Sequence, residues 1–518
     1  MGRKLQKIQP VWFVFFIFFL LLSCSKGDMG SALVVGVETN PTNLDPRLAV
    51  DIASLQVTDI VYNRLVKKDR HSNIVPDLAE KWEMPDDTTY VFHLRKGVKF
   101  HDGTPLTADD VKYTFDSIRD PSLKSPKRSS TSPIKEIRVI DKHTISFVLK
   151  RPFAPFLSNM IQGIVPMHIA KDKKNNLSRN PVGTGPYKLS KWEFDQKLEL
   201  AANEDYFEGR PRLDRVVYKI IPDQTVRLLE LEKGSVHLIQ NGISPDVISR
   251  LEQNPKLKLI KETGVNYSYI GFNLEDSILK NKKVRHAIAH AINREDIIKN
   301  IQKGLAIPAT GLLSPSHWAY EPKVRKFPYD PKKAKRLLDE AGYPDPDGDG
   351  PKPRFAIRYK TSQNQVRKRI AEVIQEQLIQ VGIKVEMRSY EWGTFFSDIR
   401  SGNFQMYTLT WVGVTDPDIY YYIFYSGSVP PKGANRGRYS NKALDRLIEQ
   451  GRYTLDLEKR KRIYSEIQKI IAEDSPYISL WYLKNVAVMR KELKGFELYP
   501  GEQFYSLKDV FFDNQEGR

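Results

Sequence analysis

Few residue patterns in this 518-residue sequence are typical of catalytic or metal chemistry. His286 and His290 are four residues apart on a predicted helix, a spacing that can hold a metal, but no glutamate follows His286 as in a HExxH motif. The acidic run at residues 345–350 has the spacing of the first ligands of a calcium loop, yet its twelfth position is Ala356 instead of glutamate. A G-x-S-x-G nucleophile motif and a Gly-Lys-Ser/Thr phosphate loop are also missing. We therefore expect no enzyme activity, no metal and no cofactor.

The one cysteine of the chain, Cys24, suggests a different chemistry. It follows a basic N-terminal segment and an apolar run at residues 11–22, which at 12 residues is too short to cross a bilayer of ~30 Å. Such a run is typical of a secretion signal. The Leu-Leu-Ser-Cys sequence at its end is similar to the lipobox of bacterial lipoproteins. We expect residues 1–23 to be a cleaved signal peptide, and residues 24–32 to be a tether whose Cys24 carries a lipid.

Composition limits what the exported chain can be. About 495 residues remain after removal of the signal, enough for two or three domains. With Cys24 committed to lipid no disulfide can form, so packing alone must stabilise the fold. The formal net charge of +18 at pH 7 would suit a nucleic acid, but export from the cytoplasm argues against that partner. The positive excess could instead favour acidic ligands or an anionic lipid surface.

Hydrophobic periodicity predicts an α/β fold. Residues 355–359 are predicted to form a strand, residues 366–381 repeat apolar side chains at helical spacing, and residues 383–387 alternate as a second strand. A strand, a helix and a strand at this spacing form a βαβ unit, which implies a parallel sheet covered by helices. Nearer the N-terminus, residues 90–94 alternate as a strand, and Thr107 begins a helix-capping pattern.

Several motifs, in a fixed order, resemble those of one protein family. The motifs are Ala79-Glu-Lys-Trp82, residues 94–106, Thr107-Ala-Asp-Asp-Val111, Gly183-Thr-Gly-Pro-Tyr187, Val284-Arg-His-Ala-Ile288, Tyr329-Asp-Pro331, Trp411 with Asp416-Pro417, and Tyr439-Ser-Asn441 with Asp445. On these motifs the chain resembles the peptide/nickel group (family 5) of bacterial extracytoplasmic solute-binding proteins, which serve ABC importers. The resemblance runs from about residue 33 to about residue 488, and the order and spacing of the motifs make it specific.

The resemblance implies a two-lobed, periplasmic-binding-protein-like α/β fold, with a ligand cleft between the lobes and an extra inserted domain. The first lobe would be discontinuous, at residues 33–72, 186–269 and 485–518. The inserted domain would span residues 73–185, and the second lobe residues 270–484. In such a protein the ligand contacts both lobes only when the hinge is closed, so binding favours the closed state.

The resemblance also points to ligand contacts near Trp411. In peptide-binding relatives this segment resembles Trp-x-x-Asp, whose carboxylate takes the α-ammonium group of the ligand. Val414 holds that position here, and the segment up to Asp416 is one residue shorter than in typical peptide binders. Two roles stay open for Asp416. It could take over the anchoring of the ammonium group, or it could hold the turn before Pro417.

The other end of a peptide would need a cation. Dipeptide-type relatives carry an arginine where this chain has Thr361, and Arg436 is the better replacement because it lies in a segment that resembles a cleft-lining loop. Asn40 and Thr42 match a strand edge that lines the cleft in relatives. The aromatic candidates could stack on a ligand or belong to the core. The predicted ligand-contacting set is Asn40, Thr42, Tyr269, Trp392, Trp411, Val414, Asp416 and Arg436.

The resemblance thus predicts a monomeric lipoprotein that captures oligopeptides outside the cytoplasm and delivers them unaltered to the permease of an ABC importer. The missing Trp-x-x-Asp carboxylate favours an alternative ligand: a metal chelate, haem or another small solute. A chemosensory or structural lipoprotein that feeds no permease is a further alternative. A secreted hydrolase, the candidate from the enzyme class, would need a nucleophile or metal set that the sequence does not provide. The sequence leaves open whether the lipid lies in an inner or an outer membrane.

Overall fold

The computed structural model describes residues 32–172, 174–348 and 350–513. Cys24, the signal peptide predicted at residues 1–23 and nearly all of the tether predicted at residues 24–32 lie outside these ranges. Helices and strands alternate along most of the described chain, as the α/β prediction requires. No helix among the described residues is both long enough and apolar enough to cross a membrane.

The strands vary widely in length, and two of them are much longer than the rest. In chain order they are β1 (Ala32–Val37), β2 (Val66–Lys68), β3 (Ile74–Pro76), β4 (Ala79–Asp86), β5 (Thr89–Leu94), β6 (Ile134–Asp141), β7 (Thr144–Leu149), β8 (Tyr187–Glu193), β9 (Lys197–Ala202), β10 (Arg215–Ile220), β11 (Leu238–Gln240), β12 (Leu257–Phe272), β13 (Ala306–Pro308), β14 (Phe355–Ser362), β15 (Ile383–Tyr390), β16 (Met406–Trp411), β17 (Tyr477–Arg490), β18 (Leu493–Lys494) and β19 (Phe511–Phe512).

The helices connect and cover these strands. They are α1 (Ile52–Val61), α2 (Ala108–Arg119), α3 (Phe156–Asn159), α4 (Met167–Ala170), α5 (Gln224–Lys233), α6 (Ile248–Gln253), α7 (Lys282–Ala291), α8 (Arg294–Asn300), α9 (Pro331–Glu340), α10 (Gln365–Ile379), α11 (Trp392–Ser401), α12 (Ile419–Phe424), α13 (Lys442–Tyr453) and α14 (Leu457–Asp474). Short 3₁₀ turns lie at Pro121–Leu123, Arg128–Thr131, Pro245–Val247 and Tyr505–Asp509.

One mixed sheet extends through both lobes. Its strand order is β15-β14-β16-β12-β17-β11-β1-β10-β9-β8, and β13 also pairs with β17. Strands β14 and β15 are parallel, with Phe355 opposite Ile383, and α10 connects them. The predicted βαβ unit is therefore confirmed. A separate sheet, β4-β5-β7-β6, belongs to the region of the predicted inserted domain.

The two long strands, β12 and β17, carry the chain from one lobe to the other. The first half of β12 pairs with the second half of β17, which also pairs with β11. The second half of β12 pairs with the first half of β17 and with β16. The β12–β17 register shifts between Thr263 and Asn266, which marks the crossing. A Cβ at Gly264 would lie 2.8 Å from the carbonyl oxygen of Leu483, so the strands approach too closely there for a larger residue. The lobe boundary predicted at residues 269/270 lies a few residues beyond this shift and stays a prediction.

Separate hydrophobic cores accompany the domains. The first lobe packs β1, β9 and β10 against the C-terminal segment, and the second lobe buries both faces of its part of the large sheet. The inserted region has its own core, in which α2 covers the small sheet. Thr107 and Asp110 form the predicted capping box at the start of α2. This third core begins at Leu65, before the predicted domain start at residue 73.

Candidate functional site

Residues 411–416, the last residue of β16 and the loop that follows it, lie where the lobes and the inserted region meet; we call them the 411–416 loop. At its beginning, the Gly413 N–H donates to Asn266 Oδ1 at 3.0 Å, and Asn266 is the residue at which the β12–β17 register resumes. The Asn266 amide in turn donates to Glu502 Oε1 at 3.1 Å, in the C-terminal segment of the first lobe. The first half of the loop is therefore bonded directly to the crossing between the lobes.

The second half of the loop is bonded to the other side of the molecule. The Lys68 ammonium donates to Thr415 Oγ1 at 2.7 Å and to the Thr415 carbonyl oxygen at 3.1 Å. The Ser158 hydroxyl donates to Asp416 Oδ2 at 2.7 Å, while Arg460 Nη2 of the second lobe lies 3.4 Å from Asp416 Oδ1. With His317, whose buried ring lies beside Lys68 and Asp416, these residues form what we call the interlobe cluster: Lys68, Ser158, His317, Asp416 and Arg460.

The interlobe cluster holds one carboxylate between two cations. Burial alone would raise the pKa of the Asp416 carboxyl, but the Arg460 and Lys68 cations, together with the hydrogen bonds from Ser158 and the Asp418 N–H, lower it below its usual range. Burial lowers the pKa of the Lys68 ammonium, an effect that Asp416 opposes. Asp416 is thus an ionised side chain whose oxygens are already occupied. Its predicted contact with a ligand stays a prediction.

An aromatic surface begins at the other end of the same loop. Trp392 and Phe396 on α11 stack with ring centroids 5.5 Å apart, and Trp411 meets Tyr422 edge to face at 6.2 Å. Trp392 and Tyr422 are each 47 % exposed, unusually open for large rings. We call Trp392, Phe396, Trp411 and Tyr422 the aromatic wall.

Arg436 lies inside this aromatic wall. Its guanidinium carbon is 4.6 Å from the ring centroid of Trp411 and 5.3 Å from that of Phe396. Arg436 Nη1 donates to the Tyr269 hydroxyl at 3.1 Å. The Tyr269 ring stacks on Tyr477 at 4.0 Å, so the tyrosine that supports the arginine is itself held by the sheet. Arg436 itself is 8 % exposed.

The structure brings some of the predicted site residues together and leaves others apart. Tyr269, Trp411 and Arg436 contact one another, and Trp392 joins them through Phe396. Tyr269 is fully buried and therefore offers no surface to a ligand in this structure. Val414 is also buried, and its N–H donates to the Val265 carbonyl oxygen. Their contacts with a ligand stay predictions.

The two candidates in the first lobe have polar partners of their own. Asn40 Oδ1 accepts from the Asp195 N–H at 3.1 Å, and the Asn40 amide bonds the Asp195 carboxylate. The exposed Thr42 hydroxyl donates to Asp51 at 2.5 Å, at the start of α1. Ligand contacts of Asn40 and Thr42 likewise stay predictions.

The sequence reasoning missed six residues of the interlobe cluster and the aromatic wall: Lys68, Ser158, His317, Phe396, Tyr422 and Arg460. Phe396 has a local signal, because it lies four residues after Trp392 and therefore on the same face of a helix. Lys68 and Ser158 have none, because their partners in the loop are 347 and 258 residues away in the chain.

A cavity of about 230 Å³ lies beside the crossing. It is lined from both lobes, by Asn241 and Pro245 on one side, by Gln302 and Val366 on the other, and by Asn266 between them. Among the described residues no group of three or more His, Cys, Asp or Glu side chains is arranged to hold a metal ion. His286 is buried, its Nε2 is 2.8 Å from the Glu473 carbonyl oxygen, and burial lowers the pKa of its ring to about 4.

Comparison with known proteins identifies the scaffold. Residues 73–431 match the family described as "Bacterial extracellular solute-binding proteins, family 5 Middle". The oligopeptide-binding protein AppA of Bacillus subtilis is 34 % identical over 94 % of this chain and 92 % of its own length. Heme-binding protein A of Haemophilus influenzae is 31 % identical over 92 % of this chain and 91 % of its own.

Solved structures agree with the sequence comparison. AppA in complex with a nonapeptide superposes with a TM-score of 0.77 at 33 % identity, covering 93 % of this chain and 99 % of AppA. NikZ from Campylobacter jejuni, in complex with Ni(L-His), gives a TM-score of 0.78 at 27 % identity, covering 92 % and 99 %. The predicted two-lobed binding-protein fold is confirmed by these similarities, and the relatives are named as binding proteins and not as enzymes. The chain therefore belongs to family 5 of the bacterial extracellular solute-binding proteins.

Proposed function

We propose that this protein captures oligopeptides between its two lobes and holds them by closure of the hinge. One observation carries the proposal: a single loop, residues 411–416, is bonded to the interlobe crossing at Asn266 and to the opposite domains at Lys68 and Ser158. The aromatic wall continues from that loop. A ligand held against the wall would therefore contact the element that connects the lobes.

Closure follows from contacts that exist only when the lobes are together. The bonds of Lys68 to Thr415 and of Ser158 to Asp416 are of this kind, because each joins residues on opposite sides of the crevice. Moving a hinge from 1:99 to 99:1 in favour of the closed state takes ~5.5 kcal/mol of differential affinity. A peptide buried against two lobes can supply that amount, since apolar burial yields roughly 25 cal/mol per Å².

The wider setting belongs to the same proposal. The protein would act as a monomer outside the cytoplasm, on the periplasmic side or at the cell surface, with a lipid on Cys24 as its membrane anchor. The closed, loaded form would dock on the permease of an ABC importer and release its peptide there. It would not alter the peptide, so incubation with panels of peptides and esters should release no product.

Native mass spectrometry combined with small-angle X-ray scattering tests the proposal. We expect the purified protein to carry a heterogeneous set of short-peptide masses. Removal of these peptides by partial unfolding and refolding should increase the radius of gyration, and adding them back should decrease it. Identical scattering curves with and without every candidate solute would contradict closure, and steady product release would revive a hydrolase.

A second ligand class is supported by one feature of the loop. The Val414 side chain is buried and apolar at the position where peptide-binding relatives resemble Trp-x-x-Asp. A metal chelate or haem would not need that carboxylate, and a haem-binding relative covers most of this chain. One discrete mass in the native spectrum, in place of a peptide envelope, would favour this alternative over peptides.

A further inference from the structure

Arg436 differs from three other buried arginines of the described residues in what it contacts. Arg47 pairs with Asp45 at 2.7 Å, Arg64 with Asp59 at 2.5 Å, and Arg460 with Asp416 at 3.4 Å. Arg436 is equally buried, yet no carboxylate of the described ranges lies within ion-pair distance of it. Its interactions are with the neutral hydroxyls of Tyr269 and Tyr407 and with two aromatic faces.

The guanidinium keeps free donors in this position. It has five N–H donors in a planar fork, and the rings of Trp411 and Phe396 lie 4.6 and 5.3 Å from its central carbon without accepting a conventional hydrogen bond. One donor bonds the Tyr269 hydroxyl, and the Tyr407 hydroxyl lies beside it, 3.4 Å from that of Tyr269. The indole N–H of Trp411, whose ring covers the same guanidinium, has no acceptor among the described residues. Around Arg436 the described residues therefore supply several donors, with tyrosine hydroxyls as acceptors and no carboxylate.

We propose that Arg436 is the receptor for a carboxylate of the ligand. This inference rests on the proposed function and specifies the charge of the solute that the aromatic wall takes. A buried cation without a counter-ion is costly, and a carboxylate that meets the edge of the fork bidentately offsets that cost. The Trp411 N–H, beside the guanidinium, would add a neutral donor to the same anion.

The loop beside this receptor offers no corresponding partner for an ammonium group. The Val414 side chain is buried and apolar, and the Asp416 oxygens are occupied by Ser158, Arg460 and the Asp418 N–H. A ligand thus gains from its carboxylate at this site and gains little from a free amino group. The ligand class that follows is a carboxylate solute whose amino end can be blocked, such as an N-acylated peptide.

Matched peptide libraries test this inference. Random peptides of two to nine residues are prepared with both ends free, and those retained by the unliganded full-length protein are resynthesised as C-terminal amides, as N-acetyl acids and with both ends blocked. Calorimetry then gives Kd for each form. Because a charge-assisted hydrogen bond is worth about 1.5–3 kcal/mol, we expect amidation to weaken binding roughly 10- to 100-fold. Acetylation should change Kd by less than about threefold.

Variants assign the effect to one side chain. In Arg436→Met the free acid and its amide should bind with equal Kd, whereas Arg438→Met, which removes the same charge two residues further along the loop, should keep the full difference. Tyr269→Phe should also keep most of it, because only a neutral hydroxyl is lost. The amide comparison needs only wild-type protein, so it tests recognition of the carboxylate even if Arg436→Met fails to fold. In that case Arg436→Lys, which keeps the charge but loses the planar fork, takes its place, and the difference between acid and amide should shrink.

Each result has a definite meaning. Retention of no peptide from the library would overturn the proposed function and this inference together. Equal affinity of acids and amides for the wild-type protein would overturn the inference alone, leaving peptide capture intact. A difference that persists in Arg436→Met would also overturn it, since another cation would then be the receptor. A large loss of affinity on acetylation would refute the claim about the amino end.

Discussion

The buried charges near the two ends of the 411–416 loop differ in their partners: Asp416 at one end has ion-pair partners within the protein, and Arg436, beside Trp411 at the other end, has none among the described residues. In the interlobe cluster, Asp416 is matched by Arg460 and Lys68, and Ser158 donates to a remaining lone pair. In the aromatic wall, Arg436 has tyrosine hydroxyls and ring faces but no carboxylate. The Asp416 side chain is 20 % exposed and Arg436 is 8 % exposed, so solvent exposure does not explain the contrast.

This difference indicates whether the counter-ion of each charge comes from the protein or from a ligand. A charge balanced within the protein contributes to the contact between domains, and its removal leaves other ions unpaired. A buried charge with no counter-ion in the protein is stabilised most by a ligand that supplies the counter-ion. The interlobe cluster should therefore govern stability and closure, while Arg436 should govern ligand choice.

The largest expected effect is the loss of the negative charge at Asp416. Asp416→Asn keeps the shape of the side chain but leaves Arg460 and Lys68 without their counter-ion, so the free energy of unfolding should fall by about 3 kcal/mol. Urea titration followed by tryptophan fluorescence measures this free energy.

Asp246→Asn is the matched control. Asp246 also faces a cation of the other lobe, Arg369 at 3.6 Å, but both of these side chains are more than half exposed. The control should lose under about 1 kcal/mol. Equal losses would show that the cluster is no more than a surface pair.

Acidification should weaken the interlobe cluster through His317. Burial, with some help from Lys68 and Arg460, lowers the pKa of this ring to about 4. The unfolded chain takes up the proton near pH 6.5, so the stability contribution of neutral His317 is complete above that pH and is lost as the pH falls towards 4. Between pH 7 and pH 5 the loss should be about 2 kcal/mol.

His317→Gln isolates this contribution from those of other buried histidines. The difference in unfolding free energy between pH 7 and pH 5 should shrink by about 2 kcal/mol in the variant. His71→Gln, at an exposed position, should leave the difference unchanged. An unaltered pH dependence in His317→Gln would mean that the ring is protonated without penalty beside Asp416.

A smaller effect is expected from Ser158, which contributes a hydrogen bond and no charge. Ser158→Ala should favour the open state by about 1 kcal/mol, because the Asp416 carboxylate keeps Arg460 and the Asp418 N–H. That free energy corresponds to roughly a fivefold change in the ratio of open to closed molecules, which scattering of the unliganded protein can follow. Ser130→Ala is the control, since its hydroxyl bonds the Lys127 carbonyl within the inserted region. Unchanged scattering in Ser158→Ala would remove Ser158 from the closing contacts.

The sequence predicts helices and strands far better than it predicts the different surroundings of Asp416 and Arg436. The βαβ unit around α10 and the capping box at Thr107 follow from local periodicity and spacing, and both are confirmed. Tyr269 illustrates the limit, because residues 267–272 are buried on both faces and a continuous buried run has no alternation to show which side faces a ligand.

The charge contrast depends on long-range contacts. Arg436 meets Phe396 across 40 positions of sequence, and Lys68 meets Thr415 across 347, so no local pattern could have brought either pair together. The resemblance to a family supplies the scaffold but not these pairings. Asp416 and Arg436 were both candidates for ligand contact, and only their neighbours in the folded chain separate one role from the other.

The smallest change in the free energy of unfolding is expected for Arg436→Met, and this variant tests the difference between Asp416 and Arg436 most sharply. Arg436→Met removes a buried cation together with its cation–π contacts and one hydrogen bond to a neutral hydroxyl. The lost contacts are worth about 1–2 kcal/mol, and relief from burying an unpaired ion offsets them. We therefore expect the urea midpoint to stay within the range given by Arg438→Met. Selection of free carboxylates should disappear in the same variant. A loss of about 3 kcal/mol, as at Asp416, would instead place Arg436 among the internally balanced charges and would end the distinction between the two ends of the loop.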